Sequence, residues 1–298
     1  MHKNHPLLFE MLRSFTTLAD TLNLSRAVEV MGTTRQTVRR HINTLEEIKG
    51  EKLFLVDERQ YYLTDAGRRA LKEAQDLQAR GSSWLNNESG HEDGLHHIAT
   101  ENNDGWYFFL QQHPIERIWS GCSSLLRLGV QCWASSEGEV THEAFDPIRD
   151  YLMVFRKGSV GWVCSAVGSK SSYATWYGRR WEYSAVGREV PQLPGGAPHA
   201  SQLSQPFEEV RASKGLRYDH IHTRMDRGEE HNPEPISFKR LLMGCRYPDG
   251  SFALASLVVR SHDLQIKGLP QSRIETMPTE LIMDDPVMPF PQVKDISG

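Results

Sequence analysis

Cysteine is scarce in this 298-residue sequence: there are four, Cys122, Cys132, Cys164 and Cys245. No two of them stand at a C-x-x-C spacing, and the first hundred positions contain none. That distribution excludes a disulfide framework and a zinc knuckle. No run approaches the roughly 18 consecutive apolar residues of a membrane span, and the first residues lack the apolar core of a signal peptide. We therefore expect a cytoplasmic protein with no membrane partner.

Catalytic motifs are also missing. The sequence contains no GxSxG, P-loop, Rossmann fingerprint or HExxH pattern. The paired acids Glu229-Glu230 and Asp284-Asp285 stand in polar, loop-like text, where solvated charges are normal. We expect no enzymatic activity and no cofactor.

Charge is unevenly distributed along the chain. The formal net charge is -4, but residues 1–85 carry a net +2 and the remainder a net -6. The N-terminal part is therefore the part that can approach a phosphate backbone.

The stretch from Thr34 to Glu47 has a helical apolar repeat, because Val38, Ile42 and Leu45 fall on one helix face. Its opposite face is rich in hydrogen-bond donors: Arg35, Gln36, Thr37, Arg39, Arg40 and Asn43. Arginine pairs with guanine, and asparagine or glutamine with adenine, in the DNA major groove. The pattern predicts a helix that presents donors to DNA.

The flanking elements complete a winged helix-turn-helix. Residues 7–22 form an amphipathic pattern, and a short helix with Ser25 as a plausible N-cap ends at Gly32. Two β-like runs, 52–56 and 60–63, surround a polar hairpin tip. Thr64 then caps a longer helix that we expect to reach about Gln78.

Residues 8–80 closely resemble the winged helix-turn-helix head of LysR-type transcriptional regulators. The residues that carry the resemblance are Phe15, Ala27, Gly32, Val38, Arg40, Ile42, Leu45-Glu46-Glu47, Gly50, Leu53-Phe54 and Leu63-Thr64-Asp65-Ala66-Gly67. The resemblance implies that the helix from Thr34 enters the major groove and that the helix after Thr64 joins a homodimer. Two departures stand out: Arg35 and Arg39 are additional to the family pattern, and the arginine usual soon after Leu-Phe is replaced by Leu55-Val56.

The donors of this head should divide into two groups. We expect Arg35, Gln36, Arg39 and Asn43 to face base edges, whereas other residues contact the sugar–phosphate backbone. The backbone group consists of Thr33, Thr34, Thr37 and Arg40, with Arg59 at the wing tip against the adjacent backbone or minor groove.

The chain behind the head predicts a different domain from the usual LysR-type effector fold. We interpret 1–85 as the DNA-binding domain, 86–105 as a linker, 106–266 as a second domain and 267–298 as a Pro-rich tail. Within 106–266 we expect a helix over 106–128, strands at 151–156 and 161–167, short helices, and a late hairpin at 238–259. That order, with Tyr177-Gly178 and Ala185-Val186-Gly187-Arg188, resembles a PAS-like sensory domain. The predicted class is α+β, and a GAF-like or unrelated α+β fold remains open.

Candidate sites in this second domain are less distinct. Trp162, Cys164, Trp176, Tyr177 and Trp181 could line a ligand cavity, although the same side chains would equally fill a core. His220 and His222, with His231 nearby, could bind zinc, but we favour surface or hydrogen-bonded histidines and predict no metal. The domain would sense a signal or bind a partner. The alternatives are a protein-interaction module without a small ligand and a cofactor-bound redox or ligand sensor.

Overall fold

The computed structural model describes residues 7–58, 60–86, 88–159, 161–226 and 233–283, with Arg179 and Arg180 described in their backbone only. Near residue 87 the chain divides into two compact units. None of the helices in the described ranges is long and apolar enough to cross a bilayer.

The N-terminal unit has the predicted order of elements. Its helices and strands are α1 (Leu8–Thr21), α2 (Leu24–Met31), α3 (Arg35–Lys49), β1 (Phe54–Asp57), β2 (Gln60–Leu63) and α4 (Asp65–Leu85). β1 and β2 pair as an antiparallel hairpin, with Phe54 opposite Leu63. The winged helix-turn-helix is thus confirmed as an architecture, and α4 continues seven residues beyond the predicted end at Gln78.

Local caps define these helices. Asn23, and not the predicted Ser25, is the N-cap of α2, because its side chain accepts hydrogen bonds from the backbone N–H groups of Ser25 and Arg26. Gly32 ends α2 with a φ of 62°, which favours glycine. Thr34 and Thr64 cap α3 and α4.

One hydrophobic core holds the three helices and the wing. Phe15 of α1, Val38 and Ile42 of α3, and Leu53 before the wing are all buried in it. The ring of Phe54 meets that of Phe15 edge-on, with 5.6 Å between centroids. The apolar face of α3 is therefore buried in the core of the unit, and its polar face is exposed to solvent.

The C-terminal unit is built on an eight-stranded sheet in the order β3-β4-β5-β8-β9-β10-β6-β7, with every neighbouring pair antiparallel. The strands are β3 (Ser89–Glu92), β4 (Leu95–Glu101), β5 (Tyr107–His113), β6 (Leu152–Lys157), β7 (Trp162–Val167), β8 (Leu216–Met225), β9 (Glu234–Arg246) and β10 (Phe252–Arg260). The helices are α5 (Arg117–Ser120), α6 (Ser124–Ser135), α7 (Asp146–Arg149), α8 (Ser172–Tyr177), α9 (Arg179–Ala185), α10 (Gly196–Ser213) and α11 (Gln271–Ile274).

Both faces of the sheet are covered. On one face α6 packs Leu125 and Leu126 against Leu241 of β9. On the other, α10 packs Phe207 against Phe155 of β6. This burial on two sides explains why polar residues of the central strands are also inside.

Two sequence-based expectations for this unit were wrong. Residues 86–105 are not a linker, since β3 and β4 lie there and belong to the sheet. The segment 106–128 is not one helix: β5 comes first, and α6 begins only at Ser124. β5 begins with a short apolar run, 107–110, and the periodicity of so short a run does not separate strand from helix.

The predicted sequence of two strands, short helices and a late hairpin is present as β6, β7, α8 to α10, β9 and β10. The α+β class is confirmed, whereas the PAS-like assignment stays a prediction. Of the proposed Pro-rich tail, 267–283 contains α11, and 284–298 lies outside the described residues.

Candidate nucleic-acid interface

The outward face of α3 carries the predicted donors. Arg35, Gln36, Arg39, Arg40 and Asn43 are exposed. In and before the first turn, Thr34 is exposed, whereas Thr33 and Thr37 are half-buried. The structure therefore brings eight of the predicted positions to one helix and its preceding turn, while Arg59 lies outside the described residues.

The first turn of α3 is fixed by its own side chains. The Thr34 hydroxyl accepts a hydrogen bond from the Thr37 N–H at 3.2 Å, and the two hydroxyls lie 2.9 Å apart. The Arg35 Nη2 atom donates to the Ser25 hydroxyl of α2 at 2.8 Å. This hydrogen bond holds the Arg35 guanidinium in a defined position. Ser25 therefore has a positioning role that the sequence did not suggest.

His41 anchors the inner side of the same helix. It is buried, and its Nδ1 atom lies 2.8 Å from the Ser14 hydroxyl of α1. Sequence reasoning missed this contact. The available signal was the spacing, because His41 stands three residues after Val38 and so lies beside the apolar stripe.

Glu46 joins α3 to the wing. Its carboxylate accepts hydrogen bonds from the backbone N–H groups of Leu53, at 2.9 Å, and Phe54, at 3.2 Å. The Lys52 ammonium lies 2.6 Å from the same carboxylate. That hydrogen bond and the carboxylate charge raise the pKa of Lys52. In the sequence Glu46 is part of the Leu-Glu-Glu motif, and in the structure it faces inward four residues after Ile42 and orients the wing.

A cleft of about 340 Å³ separates α3 from the wing. Arg39 and Asn43 line it from the helix, and Val56 and Tyr61 line it from the hairpin. Glu46 and Phe54 are also among its lining residues. The interface is therefore a helix face with an adjoining cleft.

A second exposed surface of this unit is apolar. On α4, Leu77, Trp84 and Leu85 are 47%, 68% and 65% exposed, and on α1, Leu8 and Phe9 are 53% and 43% exposed. Spacings of seven and eight residues place the three α4 side chains on one side of that helix. This is the helix that the sequence assigned to dimerisation.

The five predicted ligand-binding residues of the second unit do not form one site. Trp162 and Cys164 are buried in the core against Phe207. Trp176 and Tyr177 line a cavity of about 20 Å³, while Trp181 stacks on Tyr173 with 5.4 Å between centroids. Burial raises the pKa of the Cys164 thiol to about 11, which disfavours the reactive thiolate.

A neighbouring cavity of about 40 Å³ lies between α10 and the sheet. His199 and Arg240 line it among mostly apolar side chains. His199 is 5% exposed, and its Nδ1 atom has no hydrogen-bond partner among the described residues. Burial lowers the pKa of His199 to about 3, so this ring is neutral. Arg240 is ion-paired with the buried Asp219 at 2.8 Å. Sequence reasoning missed this cavity because its polar residues come from α10 and β9, which are far apart in the chain.

His220 and His222, the candidate zinc ligands, are buried and not at the surface. His220 lies 2.8 Å from the Tyr218 hydroxyl and accepts from the Gln265 N–H, and His222 lies 2.8 Å from the Ser237 hydroxyl. His231 lies outside the described residues, and within those described no group of three potential ligands is placed to hold a metal ion.

The head of this chain is similar to known LysR-family proteins. The family model for bacterial regulatory helix-turn-helix proteins of the lysR family matches residues 9–68. CbnR, a LysR family transcriptional regulator, is 26% identical over 26% of this chain and 28% of its own, with a TM-score of 0.25. The CbnR DNA-binding domain in its DNA complex is also 26% identical, over 26% of this chain and 92% of that one, with a TM-score of 0.25. A full-length OxyR variant from Pseudomonas aeruginosa is 28% identical over 28% of each chain, with a TM-score of 0.25.

The match spans only 28% of the length of CbnR, and no curated protein matches the chain significantly. Residues 9–68 are a LysR-type helix-turn-helix DNA-binding domain.

Proposed function

We propose that this protein is a cytoplasmic, sequence-specific transcriptional regulator that binds double-stranded DNA as a homodimer and has no enzymatic activity. The observation that carries the proposal is the LysR-type domain at 9–68, whose α3 exposes a continuous row of donors. Arg35, Gln36 and Asn43 contact base edges, while Thr33, Thr34, Thr37 and Arg40 contact phosphates.

The dimer forms through α4. One side of this helix exposes three apolar side chains, Leu77, Trp84 and Leu85. Exposure of this apolar surface to water costs free energy, and contact with the same surface of a second copy would bury it. Two recognition helices then meet half-sites one helical turn, or a multiple of it, apart. If the C-terminal unit changes the orientation of one subunit relative to the other, it changes the affinity of the dimer for DNA.

The C-terminal unit is proposed to be a PAS-like sensor. Support comes from the order of β6, β7, α8 to α10, β9 and β10 and from the cavity beside His199. An unpaired, buried Nδ1 atom costs free energy unless something hydrogen-bonds to it. The alternative is a module that binds a protein partner and no small molecule. A visible absorption spectrum of the purified protein detects a bound haem or flavin, and a colourless preparation removes those two.

The DNA-binding proposal is tested by replacing both unusual arginines. Arg35→Ala with Arg39→Ala should abolish retention of specific DNA while leaving the urea midpoint unchanged, because both side chains are exposed. Arg80→Ala, which removes an exposed arginine from the distal half of α4, is the matched control and should retain DNA. Full retention by the double variant would show that α3 is not the reading helix.

A further inference from the structure

The cleft between α3 and the wing has two walls of different character. Arg39 stands on the helix wall and Val56 on the wing wall. Side chains alternate along a strand, so Val56 and Phe54 share the cleft side of β1, whereas Leu55 points to the other side. Leu55 and Val56 are both 60% exposed. Substitutions at these two positions can therefore be compared directly, because the side chains differ mainly in the side of the strand to which they point.

The charges around the cleft leave one cation unmatched. Glu46 is held by Lys52 at 2.6 Å, so these two charges offset each other. Among the residues that the structure describes, none places a carboxylate within ion-pair distance of Arg39, which is exposed. At the outer end of the hairpin, Asp57 and Glu58 are acids and repel phosphate.

We propose that this cleft seats a phosphate of the DNA backbone and that Arg39 is its cation. The inference rests on the proposed function. When a recognition helix lies in the major groove and a wing lies beside it, the backbone that borders the groove passes between them. Arg39 is then a positioning contact for the backbone and not a reader of bases, contrary to its assignment from sequence. One residue from each departure from the LysR-type pattern, Arg39 and Val56, thus stands on each wall of one phosphate seat.

The test uses the full-length protein and DNA selected by the wild type from random oligonucleotides, with dissociation constants measured over a series of salt concentrations. Each lost phosphate contact should reduce the slope of log affinity against log salt by about 0.9. Arg39→Gln should therefore flatten the slope by about that amount for each DNA-bound subunit. It should weaken binding equally on the selected site and on sites with single base changes, because a phosphate contact carries no sequence information.

Rescue from the opposite wall makes the test specific. Adding Val56→Arg to Arg39→Gln should restore the slope, since the new guanidinium enters the same cleft. Adding Leu55→Arg instead places equal charge on the other side of the strand and should restore less than half of the lost slope. Because all three positions are exposed, the urea midpoints should match the wild type.

Three results would overturn the seat. One is an unchanged slope in Arg39→Gln with an altered base preference on reselection, which would make Arg39 a base reader. The others are failure of Val56→Arg to rescue and equal rescue by Leu55→Arg. If the wild type selects no DNA, the proposed function falls together with the seat, so the two failures are distinguishable.

Discussion

The Glu46 carboxylate of α3 accepts a hydrogen bond from the Leu53 backbone N–H over 2.9 Å, at the point where the wing begins. The recognition helix and the wing are therefore joined by a buried side chain and do not depend on the loop alone. Because Glu46 also accepts from Phe54, one carboxylate satisfies two buried donors.

Removal of that carboxylate should destabilise the N-terminal unit. Glu46→Ala leaves the Leu53 and Phe54 N–H groups buried without a partner, and each such group costs about 1–3 kcal/mol. We expect the free energy of unfolding, from urea titration followed by circular dichroism, to fall by at least about 2 kcal/mol. Glu47→Ala removes the exposed neighbour and should stay within about 0.5 kcal/mol of the wild type. An equal effect of both variants would contradict the anchoring role.

Gly67 is required by the close approach of α4 to the wing. A Cβ at this position would lie 2.2 Å from the Leu53 carbonyl oxygen, which belongs to the backbone and cannot turn away. Gly67→Ala should lower stability by about 1–3 kcal/mol through overpacking. Gly81→Ala, in the same helix, meets only the ring of the exposed Phe9. It should be neutral or stabilising in urea titration, and a greater loss for Gly81→Ala would refute this explanation.

Asp219 holds two buried arginines in the sheet. Its oxygens lie 2.8 Å from Arg217 Nε and 2.8 Å from Arg240 Nη2, and all three side chains are at most 4% exposed. Asp219→Ala leaves both cations without this partner, and we expect a loss of about 3–5 kcal/mol. Tryptophan fluorescence in urea is the measurement, because six of the seven tryptophans lie between residues 106 and 181.

The control for Asp219 is an exposed ion pair of the same unit. Lys267 and Glu92 are 69% and 46% exposed, so Lys267→Ala should cost less than about 1 kcal/mol. If the two variants lose similar amounts, the buried network does not stabilise the sheet as described.

Acid should destabilise the C-terminal unit well above the range in which carboxylates titrate. Burial lowers the pKa of His96 and of His199 to about 3, and that of His222 to about 4. In the unfolded chain each histidine titrates near the ordinary value of about 6.5, so the native state binds fewer protons below that pH. Their contribution is fully present above about pH 6.5 and is lost as the pH falls, by about 1.4 kcal/mol per pH unit for each histidine.

Urea midpoints by tryptophan fluorescence between about pH 7.5 and pH 5 check this dependence. In His199→Phe the free energy of unfolding should depend less steeply on pH, by about 1.4 kcal/mol per pH unit, which corresponds to one proton. Stability that is level across this range would contradict the assignment of neutral buried histidines.

The head was predictable because its signals are local. The apolar period through Val38, Ile42 and Leu45, the caps at Thr34 and Thr64, and the glycine ending at Gly32 each specify an element within a few residues. One contact that escaped prediction there was tertiary, because the partner of His41, Ser14, lies 27 residues away in sequence. Two others are local: Glu46 binds the backbone at the start of the wing, and Asn23 rather than Ser25 caps α2.

The C-terminal unit was harder to predict because its sheet is buried on both faces. β8 places Arg217, Asp219 and His220 inside, so a polar stretch of sequence is part of the interior. The segment 86–105 looked like a linker for the same reason, although His96 and Ile98 of β4 are buried. Their polar partners come from other strands: Asp219 pairs with Arg240 of β9, and His96 lies 3.1 Å from Arg217 of β8. No local periodicity predicts such contacts.

The central claim is that a symmetric pair of LysR-type heads reads DNA. Selection of bound DNA from random oligonucleotides by the full-length protein tests it most directly, because one experiment gives site, spacing and symmetry. We predict an inverted repeat whose half-sites are separated by about 10 base pairs or a multiple of that distance. Recovery of no enriched sequence, or of a single unpaired motif, would contradict the account.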